Sequence, residues 1–374
     1  MKNISLLDYN RSRDPLDNSS NDDEIFGRDF LTKWSLHFSP ILLAVCLVGI
    51  FGNGMSVIIF CHRTMRSPIN ILLTGLSAFD MFLLILVIPV YAVPPMNSYF
   101  QKEFLHKFYS ITVVSLYPFT HILQTASVWM MVLITVQRWI AVCYPFKAKI
   151  WISKRKSRWF VFGVLVFSLL YNLVRFFEYE LVYNTDWNET ELQYGPASGN
   201  NYDFWYSTAA YLLVSALWDY CEILYLLPFS FLIGFNTQVV RAIYKARVMR
   251  RQLSGRERKE HKTTVMMITI TVVFGVLNIL PLVLNFLKMV DPKNGRRLIP
   301  RVEHLVLADV VNLCISLNSA TTFAIYLCLC RNYKEYFNSI LHCERLSKKS
   351  EPTTVAYATG GHTPVQLVAQ ETHF

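Results

Sequence analysis

Charge is scarce in this chain, and its gaps are long. Asp, Glu, Lys and Arg are absent from Phe38–Cys61 and from Thr263–Leu287. Ile69–Pro94 admits only Asp80, and Phe108–Cys143 only Arg138. Trp159–Val174 is uncharged but short, and is read as running on to Phe177. Tyr206–Val240 carries Asp219 and Glu222, and Val302–Cys330 carries Glu303 and Asp309. Only 17% of the 374 residues are charged and 53% are hydrophobic, where a soluble domain carries about a quarter charged. Each block is near the ~20 residues that cross a bilayer as a helix. Seven such blocks exclude a water-soluble domain. Backbone groups in lipid must be satisfied within the segment, so the expected fold is an all-α membrane bundle of seven spans.

Basic residues orient the bundle. With the amino terminus outside, 22 of the 36 Lys and Arg fall on cytoplasmic segments, in Arg63–Arg66, Lys147–Arg158, Arg241–Lys262 and after Arg331. The outer segments hold 13, offset in the tail by Asp14, Asp17, Asp22, Asp23, Glu24 and Asp29. The net charge of +10 thus describes an inner face opposed to anionic membrane lipid. It does not indicate nucleic acid, because the basic residues flank spans and form no aromatic-laced surface. No apolar signal segment precedes Phe38, so the first span is expected to insert itself. Sequons at Asn3, Asn10, Asn18 and Asn188 all lie on the expected outside, as glycosylation requires.

Extracellular cysteine is missing too. All eight cysteines (Cys46, Cys61, Cys143, Cys221, Cys314, Cys328, Cys330 and Cys343) fall in spans or on the cytoplasmic side, so no outer disulfide can form. The sequence also has no nucleotide loop, no metal-ligand spacing and no nucleophile with an arranged base, which argues against an enzyme. A transporter predicts internal repeats and interrupted helices at corresponding positions, and neither is present.

What is there begins with Thr135–Pro145, where a single arginine closes a long apolar run before a proline. An arginine at membrane depth marks a functional site. The run resembles the acid-Arg-aromatic signature ending the third helix of rhodopsin-like G protein-coupled receptors, with Gln137 in place of the acid and Trp139 as the aromatic. Gly52-Asn53 and Leu76–Asp80 match that family's polar pair, expected to satisfy one another by hydrogen bonding. Pro228 and Pro281 stand at its fifth- and sixth-span prolines, where a kink gives the bundle somewhere to bend. Its seventh-span Asn-Pro-aromatic-aromatic-Tyr motif is reduced to Thr322-Phe323-Ala324-Ile325-Tyr326. Ser168–Glu180, Asn278–Leu287 and Leu317–Phe323 resemble receptors for FMRFamide-type neuropeptides in particular. The resemblance covers roughly Ser39 to His342. Its departures are Gln137, Val174 for a fourth-span proline, the altered seventh-span motif and the absent family disulfide, whose cysteine would fall near Val113. They mark a divergent member.

The resemblance implies a cell-surface peptide receptor at the plasma membrane that signals through heterotrimeric G proteins. Residues 1–37 would be a glycosylated outer tail, 38–330 the seven-span domain, 331–343 an amphipathic helix on the inner leaflet and 344–374 a disordered tail. Arg138, Gln137, Trp139, Tyr326 and His261 would form the G protein face. With Gln137 beside Arg138 and His261-Lys262 at the foot of the sixth span, the charge restraint on the off state is lost. Basal signalling is then expected to be raised. The plainer reading is that Arg138 snorkels to the inner surface.

Asn53, Asp80, Ser127, Asn318 and Ser319 fall where the family builds a polar core. Oxygen ligands round one carboxylate suit a sodium ion, and a neutral Asp80 with water is the alternative. Ligand candidates on the outer half are Thr120, His121, Gln124, Asn285, Lys288 and Asn312, with Glu178, Glu180, Asp219, Glu222 and Asp309 as anions. An Arg-Phe-amide end needs an anion, an acceptor and an apolar slot. Rim carboxylates that meet only water are the alternative for each. Lys245–Lys262, with eight basic residues, should extend two helices toward G protein or lipid. Cys343 is a palmitoylation candidate or a free juxtamembrane thiol. Ser350, Thr353, Thr354 and Thr363 are candidate phosphorylation and arrestin sites. A chemosensory receptor for small molecules, and a peptide-binding receptor-like protein without coupling, are the nearer rivals.

Overall fold

The computed structural model describes residues 18–93, 103–177, 226–249, 255–290 and 301–341. Helices and short connections make up these segments, with no strand among the described residues. The elements are α1 (Asn18–Cys61), α2 (Pro68–Val87), α3 (Glu103–Cys143), α4 (Pro145–Trp151), α5 (Lys154–Tyr171), α6 (Leu226–Met249), α7 (Gly255–Val290), α8 (Arg301–Leu329) and α9 (Arg331–Leu341). By their contacts, Met1–Phe337 form one unit and Asn338–Phe374 another, of which only the last turn of α9 is described.

Local chemistry sets several of the boundaries. Ser67 accepts a hydrogen bond from the Asn70 N–H at 3.3 Å, and Pro68 follows at the first helical position, so α2 starts there. Ser153 caps α5 in the same way through the Lys156 N–H. α2 widens into a π-helical turn over Ile88–Ala92 around Pro89, whose nitrogen cannot donate. α1 begins at Asn18, twenty residues before the uncharged block that announces it. Nothing between Asn18 and Ser39 breaks a helix, and an apolar run reports burial in lipid, not helicity.

Five helical stretches among the described residues are long and apolar enough to cross a membrane: Phe30–Cys61, Pro68–Ala92, Ser115–Cys143, Thr264–Leu284 and Leu305–Leu329. α5 and α6 supply the remaining two rods of the seven-helix bundle. α1 packs on α2 and α8, α2 on α3, α3 on α5 and α6, and α7 on α8. Phe51, Ile58, Phe82, Trp159, Phe160, Leu170, Ile233, Val272 and Val276 face outward. Such an apolar exterior suits lipid as solvent.

Two clusters fill the interior. One gathers Phe38, Leu42, Cys46, Leu83, Leu84 and Val87 from α1 and α2. The larger runs from Leu72, Leu76 and Phe79 through Met130 and Ile134 to Phe274, Tyr326 and Tyr333. Leu123 of α3 packs against both.

Where the family has a seventh-span proline, this chain places Phe323, and α1 makes room for it. A Cβ on Gly52 would lie 2.5 Å from two carbons of the Phe323 ring. The ring also meets Phe51 edge-on at 6.4 Å and Phe337 at 5.6 Å. Gly52→Ala is therefore expected to lower the thermal midpoint of the detergent-solubilised protein, at a cost of about 1–3 kcal/mol. Adding Phe323→Ala should recover part of that loss, and simple additivity of the two losses would show that the ring does not need the glycine.

Candidate functional site

The polar centre of the bundle is built on one carboxylate. Asp80 is 1% exposed, and its Oδ1 accepts from Ser127 Oγ at 2.6 Å and from Ser319 Oγ at 3.1 Å. α2, α3 and α8 thereby meet at one oxygen. Asn53 does not bond Asp80, contrary to the expectation from the polar pair. Its Nδ2 donates to Ser319 O at 2.9 Å and to Gly49 O at 3.0 Å. Ser319 is the intermediary, because its carbonyl receives Asn53 while its hydroxyl serves Asp80. Thr322 turns back on its own helix, donating to Asn318 O at 3.2 Å.

Whether this set suits a sodium ion can be judged from its donors. Both serine protons are committed to Asp80, so their oxygens keep lone pairs for a cation, and the buried Asn53 Oδ1 accepts no hydrogen bond among the described residues. Two hydroxyl oxygens on one carboxylate are donors of the type a hard cation takes.

At the inner end, Arg138 and Gln137 are half-buried, and Gln137 Oε1 accepts no hydrogen bond among the described residues. Trp139 has a firmer role. Its Nε1 donates to Gln238 Oε1 at 2.8 Å, and its ring lies 4.9 Å from Phe235 and 5.2 Å from Tyr144. It ties α3 to α6. Tyr326 is fully buried, edge-on to Phe60 at 5.1 Å and 5.6 Å from Tyr333. Burial pushes the Tyr333 phenol up to about 12, so it stays protonated and shares a hydrogen bond with Ser56 at 2.8 Å. Tyr336 bonds Thr64. α9 is thus amphipathic, with Tyr333 inward and an exposed Arg331–Glu335 pair at 2.8 Å outward, a contact worth little at a surface. His261 lies in α7 with its side chain outside the described residues.

The ligand candidates separate at the outer half. Asp309 is held by the first helix, for Trp34 Nε1 donates to its Oδ2 at 3.1 Å while Trp34 stacks on Phe38 at 5.7 Å. Thr120 is buried and its hydroxyl donates to Tyr117 O at 2.6 Å. His121 packs its edge on Tyr117 at 4.5 Å. Gln124 and Asn312 are half-buried, and Asn312 O accepts from Ser316. Asn285 and Lys288 lie in α7 with side chains outside the described residues, as does Asn18 in α1. Asn3, Asn10, Asn188, Glu178, Glu180, Asp219, Glu222 and Cys343 fall outside them altogether, as does the phosphorylatable tail.

Sequence reasoning missed Trp34, Tyr117, Arg175 and Gln238. Trp34 was counted with the outer tail, and a buried helix-to-helix hydrogen bond leaves no periodic trace. Arg175 stood inside the quoted Ser168–Glu180 stretch and carried its own signal, a cation at the end of a span.

Comparison with known proteins places this geometry. Residues 40–344 match the family of serpentine type seven-transmembrane G protein-coupled chemoreceptors called Srw. The chain belongs to that family. It is 35% identical to the FMRFamide peptide receptor frpr-18 of Caenorhabditis elegans, over 80% of this chain and 68% of that one. It is 31% identical to the FMRFamide receptor of Drosophila melanogaster, over 84% of this chain and 55% of that one. The sex peptide receptor of Drosophila melanogaster is 25% identical over 87% of this chain and 76% of its own length.

The Asp80 cluster makes a measurable claim. Ser127→Ala and Ser319→Ala should each destabilise the solubilised protein, by about 1–3 kcal/mol. Together they should cost more than their sum, since each then removes the last hydroxyl from a buried carboxylate. Thermal midpoints of the four proteins test this, and strict additivity would mean Asp80 is satisfied elsewhere.

Proposed function

We propose that this chain is a plasma-membrane receptor for an amidated peptide of the FMRFamide type, with its amino terminus outside and a heterotrimeric G protein as its inner partner. The observation that carries the reading is 35% identity to a nematode FMRFamide peptide receptor over 80% of the chain. The site's chemistry supports it. Asp309 is a half-buried acid on the outer half, fixed in place by Trp34, and a peptide guanidinium needs such a carboxylate. Arg138, Trp139 and Tyr326 would form the coupling face, and the phosphorylatable tail would receive arrestin. The family's description as chemoreceptors favours one second reading, a small diffusible ligand.

Cells expressing the chain, exposed to a library of Arg-Phe-amide peptides, are expected to show G protein activation by at least one of them. Silence to every member, with activation by small molecules, would replace the first reading with the second.

Two further outcomes follow from the polar core and its inner end. Gln137→Glu should lower ligand-independent signalling by restoring an acid beside Arg138, and equal basal activity in both proteins would show that the acid has no such role. The Asp80 oxygens would hold sodium, so replacing sodium by a bulky organic cation should change agonist affinity. An unchanged affinity removes the ion from the site.

A further inference from the structure

The inner end of the fourth span carries charge of one sign. Between Glu103 and Glu178 the chain has no acid, while six cations crowd into Lys147–Arg158. The helices packed on α5 bring no acid to this corner either. α2 holds only the buried Asp80, and α3 has none after Glu103. All six cations are exposed. Two of them brace the corner between α4 and α5. Lys147 Nζ lies 5.4 Å from the centre of the Tyr144 ring and 5.8 Å from that of Trp151, and Lys156 Nζ donates to Ile150 O at 3.1 Å. Lys149, Lys154, Arg155 and Arg158 make no side-chain hydrogen bond, ion pair or ring contact among the described residues.

The rest of α5 shows what lies beside these side chains. Only Ser157 and Ser168 of its 18 residues are buried. Trp159 is 64% exposed, and Phe162, which meets it edge-on at 6.0 Å, is exposed as well. Lys154, Arg155 and Arg158 share a helix face with Trp159 and Phe162, because residues three and four apart align. That face is apolar from Trp159 onward and meets lipid. Trp159 stands about 6–8 Å further along the helix than Arg155 and Lys154, close to the depth of one headgroup layer. With the indole at the edge of the hydrocarbon, where tryptophan collects, the three cations reach the phosphates.

We propose that Lys154, Arg155 and Arg158 form a binding site for the headgroup of a polyphosphorylated inositol lipid, with Lys149 of α4 adding a fourth charge. The proposal rests on the reading of this end as cytoplasmic and is independent of the peptide. Cations clustered just inside a span attract anionic lipid. Three of them within a turn and a half exceed what one singly charged headgroup can neutralise. Several phosphates on one ring meet them together, and the planar fork of each arginine takes two oxygens of one phosphate. No acid on the helices packed against α5 competes for these side chains. Their shared face with Trp159 and Phe162 turns them to the membrane and not to the interior of the bundle.

The test uses full-length protein in detergent, where both ends of the bundle are open to lipid. Native mass spectrometry measures binding of phosphatidylinositol bisphosphate, phosphatidylserine and inositol trisphosphate. The wild type is expected to hold the first about tenfold more tightly than either of the others. Lys154→Gln, Arg155→Gln and Arg158→Gln together should weaken it on the order of a hundredfold, roughly fivefold for each cation. Arg63→Gln, Arg241→Gln and Lys334→Gln remove the same charge from other exposed positions of the inner end. They should shift binding by less than about twofold. Equal losses in the two triple variants would reduce the binding to general attraction and overturn the site. A wild type without preference for phosphatidylinositol bisphosphate over phosphatidylserine overturns it too. Inositol trisphosphate held as tightly as the lipid would replace the membrane with a soluble polyphosphate. A triple variant that keeps the lipid but loses G protein activation would assign the corner to protein contact instead. If the first triple variant does not fold, Arg155→Gln with Arg158→Gln carries the same outcomes at a loss of roughly twenty-fivefold. Antibody access to an amino-terminal tag on intact cells tests the orientation separately. A shielded tag would overturn that reading and the site with it, whatever binds in detergent.

Discussion

A carboxylate buried in lipid-bounded protein is the constraint around which this bundle is arranged. Asp80 cannot shed its cost into water, so hydroxyls must come to it, and they come from two other helices. Ser127 brings α3 and Ser319 brings α8 to the same oxygen. The α8 backbone at Ser319 is in turn the acceptor that draws in Asn53 of α1. Four helices are registered by one chain of hydrogen bonds, none of it exposed to solvent. Apolar packing alone would fix them less well, since ridges of Leu, Ile and Phe can slide by a turn with modest penalty. A hydrogen bond at 2.6 Å to a buried acid cannot.

Below that centre the chain departs from the pattern it resembles, and it does so as a set. A phenylalanine where the family has proline removes the kink that proline would impose on the seventh helix. It also introduces a bulky ring between α1 and α8. The absence of a side chain at Gly52 absorbs the ring, and Phe337 closes over it. The same region carries Tyr326 and Tyr333 packed on Phe60, and the Tyr333 hydroxyl is tied to Ser56. Aromatic contacts of this kind have preferred geometries and so retain direction where a lost polar motif no longer supplies it.

Much of this was legible from residues alone. The helical membrane bundle was, because long apolar blocks leave a chain no other way to satisfy its backbone, and the centre at Asp80, Ser127 and Ser319 was, because those positions match the polar core of the family that the chain resembles. The direct Asn53–Asp80 bond expected from the sequence was not found. A motif names which residues are near one another but not which of two nearby carbonyls a donor will choose. Trp34 and Asp309 are 275 positions apart, and nothing local in either sequence announces the other. The start of α1 at Asn18 was hidden for a different reason, since charged residues are compatible with a helix that has left the membrane.

Neutral contacts fasten the inner end in two places. Gln137 stands where the resembled signature has an acid, so it brings no charge beside Arg138. Trp139, next along the chain, bonds Gln238 across to α6 and packs on Phe235. Tyr336 bonds Thr64 at the foot of α1. These restraints are neutral hydrogen bonds and ring contacts, so unlike an ion pair they owe little to salt. They fasten α3 to α6, and α9 to the foot of α1.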